Sequence, residues 1–132
     1  MGTRAIAVIL VLCFVASPVL AEEVLYCTDT AATGFAWQNG QASPSLFNPE
    51  LFTIKVTSDT ERVITRMVGN TAGRSLRYRC RHAFEQLACD PGDGALPWLF
   101  AGNAYTRAFL AGPPVGGGDQ NIWIAYGICT KF

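Results

Sequence analysis

The chain has 132 residues, ten basic and ten acidic side chains and one histidine, so its formal net charge is zero. That balance lacks the electrostatic footprint of a general nucleic-acid or membrane-surface coat. The length suits one domain with one modest core.

Residues 1–21 read as a cleavable secretory signal. Met1-Gly2-Thr3-Arg4 is a short positive start, Ala5 to Val15 is an apolar run, and Ser17-Pro18 breaks it before Val19-Leu20-Ala21. Cleavage after Ala21 would leave a domain of residues 22–132 with a slight acidic excess and no transmembrane anchor, because the run is short for a bilayer span. Cys13 follows the bulky Leu12, which is unsuited to a lipoprotein acceptor, so no lipid anchor is expected.

Turn residues then recur at short intervals, which suits a meander of antiparallel strands. Val24–Thr30 reads as a first strand, continued by Phe35-Ala36-Trp37, with a polar stretch over Gln38–Ser45. Phe47–Glu50 leads into the next strand and has room for one helical turn. In Phe52–Thr57 the residues Phe52, Ile54 and Val56 share one face. Arg62–Val68 follows, and Gly69–Gly73 is the next break. In Ser75–Ala83, Leu76, Tyr78 and Cys80 alternate with Arg77, Arg79 and Arg81. Phe84-Glu85-Gln86 forms a tip, and Asp90-Pro91-Gly92-Asp93-Gly94 a turn. Leu96–Ala101 and Ala104–Ala111 flank Gly102-Asn103, and Gly112–Asp119 reads as a surface loop. Ile122–Cys129, β-branched and aromatic on both faces, reads as a strand buried on both sides.

The segment 22–132 keeps Cys27, Cys80, Cys89 and Cys129. Four cysteines in an exported chain are most simply two disulfides, with three possible pairings. Spacing favours Cys80–Cys89 across a hairpin and Cys27–Cys129 between the ends. The terminal pair would bring first and last strands together. The expected fold is therefore all-β, a single small antiparallel barrel or sandwich of seven or so strands, with the terminal bridge favouring closure.

Arg77, Arg79 and Arg81 lie on one strand face, and Arg62 and Arg66 on the neighbouring strand are expected to extend it. Guanidinium forks hold carboxylates and phosphates, so this row would suit an anionic envelope component or an acidic protein surface. The plain alternative is a solvated face whose charges resist edge pairing. The Gly112–Asn121 loop is the second candidate contact. Glu61 or Glu85 with His82, Arg79 and Arg81 supplies the residue types of a small secreted ribonuclease, though no spacing requires it. No C-x-x-C, calcium loop, phosphate-cradling loop or nucleophile elbow occurs, so neither metal nor cofactor is expected. Trp98, Phe100, Tyr105 and Phe109 would line a barrel interior, with Trp123 and Tyr126 on opposite faces of the last strand. Core is the default role, and a pocket for a small apolar ligand at the open end the sharper one.

Tyr26-Cys27-Thr28-Asp29-Thr30, Gly34-Phe35-Ala36-Trp37, Phe52-Thr53-Ile54-Lys55-Val56 and the ending Ile124–Phe132 resemble a group of uncharacterised small secreted proteins from alphaproteobacteria. That resemblance implies export and brings no function. A fainter likeness is to the periplasmic β-barrel inhibitors of C-type lysozyme, similar in size, export and terminal cysteine tie. Their tyrosine-x-cysteine start and serine-alanine-serine-glycine loop are missing here, so their inhibitory residues do not transfer. The resulting expectation is a periplasmic or secreted, non-enzymatic binding domain with a protein or anionic envelope partner, nucleic acid being an unlikely one. The alternatives are a ribonuclease-like hydrolase and a structural envelope protein without a discrete site.

Overall fold

The computed structural model describes residues 22–69, 71–92, 96–110 and 121–131, and no helix occurs among them. The signal reading of residues 1–21, residues 112–120 of the glycine-rich loop, and Asp93 and Gly94 lie outside the described residues. The strands are β1 (Glu23–Gln38), β2 (Gln41–Leu46), β3 (Leu51–Ser58), β4 (Glu61–Arg66), β5 (Ser75–Ala83), β6 (Gln86–Asp90), β7 (Trp98–Ala101), β8 (Ala104–Phe109) and β9 (Asn121–Lys131).

β3 to β9 pair antiparallel in chain order, and β1 pairs with both β3 and β9. Eight strands therefore close into a barrel. β2 is the exception: it folds back on the far half of β1, with Gln38 opposite Gln41 and Thr33 opposite Leu46. The polar Gln38–Ser45 stretch is thus a hairpin. The segment 47–50 forms no helical turn and runs as a plain connection. β4 ends at Arg66, because the chain turns away there into a hydrogen-bonded loop before β5.

Period-two alternation decides what fills the barrel. Cys27, Phe52, Ile54, Ile64, Tyr78, Leu87, Trp98, Phe100 and Tyr105 pack inside with the two disulfides. Trp98 is the hub. Its ring meets Phe52 edge-on at 4.9 Å and stacks with Tyr105 at 5.1 Å. Such pairs each add about 0.5–1.5 kcal/mol beyond area burial. Cys27 lies opposite Cys129 across the β1–β9 seam, and Cys80 opposite Cys89 across β5–β6, so each bridge joins direct cross-strand partners.

The last strand departs from expectation. Ala125, Gly127 and Cys129 of β9 are buried, but Ile124, Tyr126 and Ile128 are 51%, 50% and 40% exposed. A strand with apolar residues on both faces needs a second layer to cover both. A closed barrel has only one interior, so the outer row stays in solvent.

The two ends of the barrel differ. Asp59–Thr60, Phe84–Glu85 and Gly102–Asn103 make two-residue turns at one end. Longer connections, including 47–50 and 67–74, gather at the other with the β1–β2 hairpin. We refer to these as the turn end and the loop end.

Candidate functional site

The five candidate arginines divide between two faces. Arg77, Arg79 and Arg81 all point outward and are exposed. Arg62 lies opposite the buried Tyr78, and Arg66 opposite the buried Phe52, so both point inward. Directly opposed residues share a face of the sheet, and this register sets Arg62 and Arg66 apart from the outer row.

Within the outer row the charges are unequal. Arg77 donates to Glu61 Oε1 at 2.9 Å, and the Thr57 hydroxyl donates to the same oxygen at 2.9 Å. The Thr57 hydrogen bond, with Arg77 behind it, holds the Glu61 carboxyl below its usual range. Arg79 and Arg81 make no ion pair among the described residues. The row runs toward Phe84, which is fully exposed at a positive φ of 49°. A bulky residue rarely adopts that backbone region, and an exposed phenyl ring there contributes nothing to the core.

His82 alternates with this row. It lies opposite the buried Leu87, on the other face of β5 from Arg79 and Arg81. The nuclease combination of Glu61 with His82 and those arginines is therefore split across the sheet, and Glu85 sits in the turn at φ 64°. Among the described residues no group of three or more His, Cys, Asp or Glu side chains could hold a metal ion.

At the turn end, Arg62 lies over the Phe100 ring at 5.2 Å. Its Nε is buried without a hydrogen-bond partner among the described residues, and burial pulls its pKa down. A cavity of about 480 Å³ there is bordered by Glu23, Asp59, Arg62 and Lys131.

The loop end carries a polar cluster that sequence reasoning missed. A bulge after Asp29 breaks the β1–β9 register, and Asp29 keeps its inward direction. Arg107 grips the Asp29 carboxylate with two nitrogens, Nε at 3.1 Å and Nη2, and also reaches Glu50 at 2.7 Å. The side chains of Arg107 and Asp29 are 6% and 0% exposed. The guanidinium lies over Phe52 at 4.6 Å and Trp123 at 4.5 Å. Glu50 also accepts from Arg66 at 3.0 Å, and Arg66 donates to Thr71 Oγ1 at 2.7 Å. Buried charges need such pairing to offset lost hydration, and this cluster supplies it.

Tyr105 completes the cluster, donating its hydroxyl to Asp29 Oδ1 at 2.8 Å. Gly127 makes this possible, since a Cβ there would stand 2.3 Å from the Tyr105 hydroxyl. Burial, then the hydrogen bond to Asp29, raises the Tyr105 pKa well above its ordinary value. The unfolded chain ionises its tyrosine near pH ~10 while the folded one stays protonated, so stability falls as pH rises through that region. Tyr105→Phe should abolish this alkaline loss relative to wild type, checked by thermal midpoints between about pH 9 and 11. An unchanged alkaline slope would refute it.

Beside this cluster a cavity of about 350 Å³ opens at the loop end, with Arg66, Thr71 and Arg74 on its polar side. Comparison of the chain with protein-family models, curated proteins and solved structures gives no match.

Proposed function

We propose that the chain is a non-enzymatic binding domain that works outside the cytoplasm, in the periplasm or secreted, and holds an anionic component of the cell envelope against β5. The observation carrying this reading is the exposed outer row of Arg77, Arg79 and Arg81, two of them without an ion pair among the described residues, leading to the exposed Phe84. Guanidinium groups beside an apolar tip suit an amphiphilic anionic surface, where an aromatic ring enters the headgroup region and arginines bind phosphate or carboxylate. Two disulfides are consistent with an oxidising compartment, and the signal-like sequence of residues 1–21 supports the same location.

The test is sedimentation with phosphatidylglycerol vesicles, compared with phosphatidylcholine, in low and high salt. Each basic residue near an anionic surface contributes roughly 1 kcal/mol. The combined Arg77→Ser, Arg79→Ser, Arg81→Ser variant should therefore bind about a hundredfold more weakly while unfolding like wild type. Binding that ignores both salt and this triple change would refute the assignment.

A further inference from the structure

We propose that the loop-end cavity is a second binding site, built for a small amphiphilic monoanion with a carboxylate head and an aromatic or short aliphatic body. The volume, about 350 Å³, sits at the low end of the roughly 300–1,000 Å³ typical of small-molecule sites. Its inner wall is apolar: Phe52, Ile64 and Tyr78. Leu76 and Phe109 line it at the rim and remain 40% and 48% exposed, offering cover to an apolar body.

Charge at this end is uneven. Asp29 and Glu50 are taken up by Arg107 and Arg66, whereas Arg74 makes no ion pair among the described residues. Among the described residues three guanidinium groups at this end thus face two carboxylates, which leaves room for one more negative charge. A second charge on the ligand would meet the Glu50 carboxylate across Arg66, so the fit is to a monoanion.

The cationic edge is set in place before any ligand arrives. Arg66 is pinned by Thr71 and Glu50. The Gly73 amide donates to the Arg66 carbonyl at 2.7 Å, the Arg66 amide to the Arg74 carbonyl at 3.2 Å, and the Arg74 amide to the Thr71 carbonyl at 3.0 Å. Gly73, at a φ of 78°, permits the turn. A loop ordered this way loses little freedom when it binds.

The site is separate from the outer arginine row, and one titration series keeps the two apart. 4-Phenylbutyrate, its neutral amide and phenyl phosphate are titrated calorimetrically into the disulfide-intact protein. The acid should bind about tenfold or more tightly than the amide. Arg74→Gln should lower the acid to the level of the amide and leave the amide unchanged. Its side chain makes no ion pair among the described residues, so matching urea unfolding curves should show that the fold is intact. Phe109→Ser should weaken acid and amide alike, and the triple serine variant of β5 should bind as wild type does. Equal affinity for acid and amide overturns the proposal, as does indifference to Arg74→Gln, loss of binding in the β5 variant, or no heat with any probe at about 5 mM. Tighter binding of phenyl phosphate than of phenylbutyrate overturns the carboxylate assignment.

Discussion

Replacing Arg107 with leucine is expected to destabilise the fold by about 3–5 kcal/mol, the usual loss when one partner of a buried ion pair is removed. The reason lies in what remains. Among the described residues, Asp29 would stay wholly buried with only Tyr105 and the Glu50 amide donating to it, and Glu50 would keep only Arg66. The substitution also removes the cation over Phe52 and Trp123. Against a typical stability of about 5–15 kcal/mol, that takes a large share of the total. Urea unfolding measures it, and Asp29→Asn combined with Arg107→Leu provides the control. The double variant should fall short of the sum of the single losses by about 1–3 kcal/mol, because the groups are in direct contact. Additive losses would mean that Arg107 acts through packing and not through the pair.

The second large effect concerns the seam. Converting Cys27 and Cys129 together to alanine should cost roughly 4–5 kcal/mol in the loop-entropy model, against roughly 2–3 for Cys80 with Cys89. The difference follows from sequence separation, 102 residues against 9. Both bridges are buried, so alanine removes comparable apolar contact in each case. The barrel should still close, because β1 and β9 stay paired from Leu25–Lys131 to Ala36–Asn121 on either side of the bulge. Paired guanidinium titrations of the two variants test the ranking, and equal losses would contradict it.

Much of this architecture was legible in the residues themselves. Alternation in Ser75–Ala83 identified the strand and its two faces, and the spacing of the cysteines ranked the pairing that the structure shows. The choice between barrel and sandwich needed the β1–β9 register, a long-range pairing that no local pattern encodes. For the same reason the apolar residues on both faces of β9 do not reveal that its outer row is uncovered. That Arg62 and Arg66 face inward and not along the outer row is not legible locally, because strand phase relative to a neighbour cannot be read from either strand alone. Arg107 carries a signal of its own in the sequence. In Tyr105-Thr106-Arg107-Ala108-Phe109 it shares the aromatic face, and a charge in that phase points to a buried partner. The partner itself was beyond reach: Asp29 lies 78 residues away in sequence and owes its inward direction to a bulge.

The β2 strand has a consequence for how this protein behaves at high concentration. Closure leaves the barrel proper without an edge, so β2 presents the open ladder on its side away from β1. An open ladder invites another chain to add a strand. Pro44 sits in the middle of it, opposite Phe35, and withholds one amide donor from any incoming backbone. The strand is also short and carries Ser43 and Ser45 beside the proline. Self-association through edge pairing is thereby discouraged at the edge that the described strands leave open, and Pro44 is the position at which substitution by a β-branched residue would open the way to fibrous assembly.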